Sequence, residues 1–221
     1  MLTRPTTNAT GVTRPANGNG RTVLPPPKLY TVDDWVAFEE TKDRKHELRN
    51  GVFIEMAGAT YEHNTIAANL LVALAIAIPE TCQAIGSDQK VHIENTNGLY
   101  PDIVVVCGKP EIGVASALYN PLLIVEVLSP STAGDDRGEK FEKYRTRPTL
   151  THYVLVEQHR ASVEHFQRGD NGVWFLAAEH HVIDDTLTVT LAGATIAVPL
   201  AAIYRRVSFA PVDAVEGDEA G

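Results

Sequence analysis

Two carboxylates lie in segments where carboxylates are expensive. Glu126 sits in LLIVEVL (Leu122–Leu128), a run that is otherwise wholly apolar, and Asp102 opens a second apolar run in YPDIVVVC. A short apolar run after a proline reads as a strand buried on both faces. An ionised carboxylate there costs several kcal/mol unless something pairs with it. Side chains alternate along a strand. Asp102 therefore shares a face with Val104 and Val106, and Glu126 with Ile124 and Leu128. If the two strands are neighbours and those faces coincide, the carboxylates can clamp one divalent cation. Oxygen ligands suit Mg²⁺, with Mn²⁺ as a substitute. Such an ion activates water and stabilises charge on a phosphoryl oxygen. The pair points to a metal-dependent hydrolytic site. The plainer reading pairs Glu126 with Arg137 or Arg145 and makes Asp102 a strand-entry residue after Pro101.

The elements that must position this pair follow from periodicity. Thr31 precedes VDDWVAFEE, a helix start with Asp33 and Asp34 in its first turn. Asn50-Gly51 in KHELRNGVFIEM marks a two-residue hairpin, with Glu47 on its first arm. Ile66, Leu70, Leu74 and Ile78 repeat at helical spacing, so a helix is predicted from about Tyr61 to Ile78, ended by Pro79. SDQKVHIE (Ser87 to Glu94) alternates as a strand that carries Lys90. The turn Asn95 to Gly98 then folds YPDIVVVC back beside it. After the strand with Glu126 comes a helix, DDRGEKFEKYR, on which Arg137, Lys140, Phe141 and Tyr144 share a face. Short strands fill the remainder. The order predicts an α+β fold with a mixed central β-sheet flanked by helices.

With 221 residues, 44% of them hydrophobic, the chain has enough apolar material for one domain with a sizeable core. Residues 1–27, rich in Thr, Asn, Gly and Pro, read as a disordered tail, and 208–221 as an acidic one. A folded domain is expected over 28–207. The net charge of −9 argues against a general phosphate-binding surface. Cys82 and Cys107 have no partners at zinc-ligand spacing and are expected to be reduced. No secretory signal or membrane-length apolar stretch is visible, so a cytoplasmic location is expected.

The pieces HELRNG, YEHN, SDQKVHIE, YPDIVVV, VEVLSPST, DRGEKFEKY and THYVLV together resemble the PD-(D/E)XK nuclease superfamily, and within it the Uma-type restriction endonucleases. The resemblance implies a restriction-endonuclease-like fold, double-stranded DNA as partner and a homodimer as one assembly. It implies that Asp102 and Glu126 bind the metal, that the Val127 carbonyl adds a ligand, and that Glu47 is the extra acid near the ion. His63 matches the histidine near the start of the long helix, with capping or packing as its plainer role. The superfamily places a lysine two residues after the Glu, where this chain has Leu128. Lys90 is the preferred substitute and Lys140 the alternative. Lys140 otherwise reads as a solvated charge paired with Asp136 at i, i+4, Lys90 as the wet face of an edge strand, and Glu47 as an exposed acid. The rival function is a nuclease scaffold that has lost catalysis and serves as a DNA-binding or protein-interaction module.

Overall fold

The computed structural model describes residues 28–209, so both tails lie outside the described residues. At its centre is a six-stranded mixed sheet made of β3 (Cys82–Gly86), β6 (Ile103–Cys107), β7 (Leu123–Leu128), β8 (His152–Glu157), β9 (Val163–Arg168) and β10 (Trp174–His180). Its order is β10-β9-β8-β7-β6-β3. Only β7 and β8 run parallel. The α+β expectation therefore stands.

Alternation along these strands builds two cores. Ile103, Val105, Leu123, Val125 and Val127 face one layer, covered by helix α2 (Tyr61–Ala77) through Ile66, Leu70 and Leu74. The hairpin β11 (Thr186–Leu191) and β12 (Ala194–Pro199), with the short helix α5 (Leu200–Ile203), completes that layer. Val104, Val106, Ile124 and Leu128 face the other way, toward Tyr144, Tyr153 and Leu155. Glu126 belongs to this second face by parity, as does Asp102 just before β6.

A smaller four-stranded sheet, β2 (Val52–Glu55), β1 (His46–Arg49), β5 (Asn97–Leu99) and β4 (Val91–Glu94) in that order, stands beside the first. Asn50 and Gly51 both take positive φ, 50° and 74°, so the β1–β2 hairpin closes as its sequence requires. Helix α1 (Val32–Glu39) begins with a capping box between Thr31 and Asp34. Its Trp35 packs against Gly98, where any Cβ would strike the indole ring.

Three expectations are corrected here. The strand predicted from Ser87 begins only at Val91 and pairs with β5, not with the Asp102 strand. The predicted Asp135-to-Arg145 helix breaks at Gly138 into α3 (Ala133–Arg137) and α4 (Glu139–Tyr144). Cys82 and Cys107, directly opposite in the β3–β6 register, form a disulfide rather than free thiols. A 25-residue separation in sequence concealed that cross-strand neighbourhood.

The layer under β11 contains a buried histidine pair. His152 Nε2 reaches the Thr190 carbonyl at 2.9 Å, and its Nδ1 lies 3.0 Å from His165 Nε2. Burial, aided by the neighbouring His152 and His180, pushes His165 down from 6.5 to about 4. The unfolded chain therefore takes up this proton first, and stability falls as pH drops from about 6.5 to about 4. Across that window the loss is about 3 kcal/mol. Urea titrations of the wild type and His165→Gln are expected to diverge in slope there; identical pH dependence would contradict the assignment.

Candidate active site

The register Ile103↔Val125 in the antiparallel β6–β7 pair brings Asp102 opposite Glu126. The two are bound reciprocally through the main chain. Asp102 N donates to Glu126 Oε2 at 3.3 Å, and Val127 N donates to Asp102 Oδ2 at 2.7 Å. Both carboxylates therefore meet on one face of the sheet. Neither anticipated arginine pairs with Glu126: Arg137 binds Glu157 and Glu164, and Arg145 lies near Glu142.

Lys140 supplies the cation. Its Nζ lies 3.2 Å from Glu126 Oε1, 3.1 Å from Asp136 Oδ1 and 3.6 Å from Glu47 Oε1. It is only 6% exposed, so the solvated reading of this lysine fails although its pairing with Asp136 is present. The break at Gly138 places Asp136 at the end of α3 and Lys140 on the first turn of α4, both turned inward. Burial disfavours the charged form of Lys140, but Glu126, Glu47 and Asp136 outweigh it and hold the ammonium above its ordinary range.

One ammonium does not satisfy this many carboxylates. Burial pushes Glu126 well above the usual carboxylate range; Lys140 pulls it down, while Asp136, Asp102 and Glu47 push it further up. Burial likewise raises Asp136, against the pull of Lys140 and Thr132. The Tyr144 hydroxyl donates to Glu126 Oε1 at 3.0 Å, and burial keeps that phenol neutral. The cluster is short of positive charge.

Glu47 is buried, not exposed, at 2%. Its Oε2 accepts from Arg49 Nε at 2.8 Å and its Oε1 from Tyr100 N at 3.1 Å. Arg49 also binds Asp135, which ties the hairpin to α3. His63 does not cap its helix; the Thr60 hydroxyl does, accepting from His63 N. The His63 ring instead reaches the site, with Nε2 3.2 Å from Asp102 Oδ2. Burial works against its protonation, but the hydrogen bond and charge of Asp102, with the Val127 main chain, raise its pKa above the ordinary value.

Lys90, the preferred substitute, is not at the cluster. Its ammonium lies 5.7 Å from the ring centroids of Trp35 and Tyr100. Trp35 packs with Leu48, on the face of β1 opposite Glu47. Lys90 precedes β4, and β4 borders β5 rather than the Asp102 strand, so strand-to-strand placement cannot deliver it. Asp136 and Tyr144 were not anticipated as site residues. Their signal was the i, i+4 and i+8 spacing Asp136–Lys140–Tyr144 in DRGEKFEKY, which puts all three on one helical face.

Every oxygen donor here is hard. Among the described residues no three His, Cys, Asp or Glu side chains gather around one ion-sized point. Two carboxylates with water in the remaining positions match the sparse protein ligation that Mg²⁺ accepts. The excess of buried negative charge fits the same ion.

A family model described as a putative restriction endonuclease, Uma2, matches residues 32–199. The chain belongs to the Uma2 family. Two uncharacterized proteins of Synechocystis sp. (strain ATCC 27184 / PCC 6803 / Kazusa) are similar to this Uma2 chain. One, sll1609, is 37% identical over 67% of this chain and 86% of its own length. The other, slr1290, is 32% identical over 84% of this chain and 96% of its own length. Among solved structures, a putative nuclease belonging to DUF820 from Anabaena variabilis superposes with a TM-score of 0.60 at 12% identity. That match covers 79% of this chain and 97% of the other. The shared fold is restriction-endonuclease-like, and family and fold are of the nuclease type. No helix among the described residues is long and apolar enough to cross a membrane.

Proposed function

We propose that this Uma2 protein is a Mg²⁺-dependent endonuclease that hydrolyses phosphodiester bonds of DNA. One observation carries the reading: Asp102 and Glu126 face each other on adjacent strands with the Lys140 ammonium 3.2 Å from Glu126. A lysine two residues after the Glu would project from the same face of β7. Here Leu128 fills that position in the core, 1% exposed, and α4 brings an equivalent ammonium from the side.

In this reading Asp102 and Glu126 hold the ion, and the Val127 carbonyl is the candidate third ligand. When bound, the ion supplies positive charge that polarises the phosphoryl group and makes water a better nucleophile. The residues of the chain do the rest. Lys140 stabilises the negative charge that develops on the phosphoryl oxygens during attack. Glu47 and Asp136 hold that ammonium in place and charged, and Arg49 anchors Glu47. His63 fixes the orientation of Asp102, as a hydrogen-bonded neighbour commonly does for a ligand. Water displaces one ester oxygen at phosphorus, so the products are a phosphate monoester and a hydroxyl, with no covalent enzyme intermediate.

Supercoiled plasmid, linear duplex and RNA, each incubated with Mg²⁺ or Mn²⁺, test this reading. Cleavage of DNA that depends on the ion is expected, and Asp102→Ala is expected to lose it together with calorimetric Mn²⁺ binding. A wild-type protein that cuts no DNA and binds no divalent ion would instead be a scaffold without catalysis, and the enzymatic reading would fall.

A further inference from the structure

The arginines divide into two groups. Arg44, Arg49, Arg137 and Arg145 face carboxylates, and Arg147 and Arg168 donate to main-chain carbonyls. Among the described residues, Arg160, Arg205 and Arg206 are the arginines whose guanidinium groups meet neither, and all three are exposed. They occupy two adjoining turns. The turn between β8 and β9 carries Arg160. The turn after α5 has Arg205 and Arg206 at its centre, closed by Val207 N donating to Tyr204 O at 3.0 Å. Tyr204 joins the two, its hydroxyl 3.0 Å from Glu157 O and 2.8 Å from Ser162 O. Asn69 of α2 fixes the second turn by donating to the carbonyls of Ile203 and Arg205 at 3.0 and 2.7 Å.

Backbone and charge both indicate an anionic ligand for this patch. Arg206 has a φ of 64°, a conformation that costs an L side chain energy and that glycine or asparagine usually takes after a helix. An exposed arginine kept at such a position points to a use for its guanidinium. Like charges on adjoining turns repel, and the chain as a whole carries −9. Beside Arg206 is a cavity of about 170 Å³ in which Glu62 is the one lining carboxylate, so the patch is not neutralised locally. A polyanion relieves that repulsion, and the guanidinium fork matches phosphate oxygens. The patch also adjoins the acidic cluster. Tyr61, Glu62 and Thr65, at the start of α2, line the cavity with Arg206. His63, between them in sequence, reaches Asp102 Oδ2 at 3.2 Å. Thr60, the cap of the same helix, reaches Gln158 Oε1 in the β8–β9 turn at 3.3 Å.

We infer that Arg160, Arg205 and Arg206 bind the phosphate backbone of the duplex flanking the cleavage point, beside the amino end of α2. The position of the duplex rests on the nuclease reading above; the phosphate contact rests on the charges themselves. Such contacts fix the register of the substrate and carry no sequence information.

Fluorescence anisotropy of two labelled duplexes of unrelated sequence, titrated in Ca²⁺ over a range of salt, tests the patch. The triple variant Arg160→Gln/Arg205→Gln/Arg206→Asn is expected to bind both at least roughly tenfold more weakly, with a salt slope shallower by about 2–3. The variant with lysine at all three positions is expected to keep the slope within about 1 of wild type, since it keeps the charge. Should the triple variant fail to fold, Arg160→Gln alone decides, with a slope loss of about 1 in support and no loss against. Equal slopes, a loss confined to one sequence, or a wild type that binds neither duplex overturns the inference. So does a wild-type dimer that the triple variant splits with duplex affinity unaltered, which would assign the patch to a second copy of this chain. Hydrolysis of bis(4-nitrophenyl) phosphate by wild type in Mn²⁺ reads the nuclease activity separately. Hydrolysis with equal slopes removes the patch and leaves the nuclease reading. An arginine-dependent slope without cleavage of this ester or of DNA keeps the phosphate contact and removes the nuclease reading.

Discussion

Lys140→Met is expected to lower kcat for DNA cleavage by about a thousandfold or more and to destabilise the metal-free protein by about 3–5 kcal/mol. The two losses have one source. Glu126, Asp136 and Glu47 all lie within 3.6 Å of the Lys140 ammonium. Removing it leaves three buried carboxylates at 2%, 1% and 2% exposure without their shared cation. Breaking a buried ion pair from one side costs far more than the pair is worth, because the remaining charge is stranded. The variant is therefore expected to take up protons on folding near neutral pH, and to gain more thermal stability from Mg²⁺ than wild type does. Restoring an ammonium from the strand itself tests the charge rather than the residue. Leu128→Lys combined with Lys140→Met is expected to recover cleavage at least about tenfold over Lys140→Met alone. Full cleavage by Lys140→Met would remove the lysine from the chemistry. Chemical denaturation with and without Mg²⁺, alongside plasmid cleavage, reads both effects.

Glu126→Gln is expected to separate stability from activity. Cleavage falls about a thousandfold or more, because one of the two proposed ion ligands is gone. Stability without metal is expected to stay within about 1 kcal/mol of wild type or to rise. The sign follows from linkage. Burial and three like charges raise the folded pKa of Glu126 well above its ordinary value of 4.5. Between those two values the folded protein binds the proton more tightly than the unfolded chain does. Glu126 therefore costs stability progressively as pH rises from 4.5 to its folded pKa, and that cost is complete above it. Glutamine mimics the protonated acid and removes that cost near neutral pH. Lys140 retains Glu47 and Asp136 as partners. Unfolding midpoints at pH 7.5 in chelator check the prediction; a Glu126→Gln protein several kcal/mol less stable than wild type would mean that Glu126 is there for structure.

Much of the site was legible because strands are periodic. The alternation around Glu126 and Asp102 specified which apolar neighbours share their face, and two cores divide along that alternation. Asn50-Gly51 announced a hairpin because few other dipeptides take positive φ twice in succession. What escaped was decided by pairing across distance. Alternation in SDQKVHIE is a property of the segment alone. It does not say that β4 pairs with β5 in a separate sheet, or that Lys90 ends over Trp35 and Tyr100. The i, i+4 spacing of Asp136 and Lys140 carried the right contact with the wrong environment, since a helix pattern does not state which face is covered. Glu47 was ambiguous for the same reason: the hairpin fixes its cross-strand partner Ile54, but α4 on that side is what buries it. Cys82 and Cys107 needed the β3–β6 register before their proximity could be seen.

The central claim, that Asp102 and Glu126 jointly seat a divalent cation next to Lys140, is tested most directly by crystals soaked in Mn²⁺ and measured at the manganese edge. An anomalous peak in contact with oxygens of both carboxylates, lost in Asp102→Ala, is the expected result. A fully soaked crystal with no peak there, or with manganese bound only elsewhere, would contradict the account.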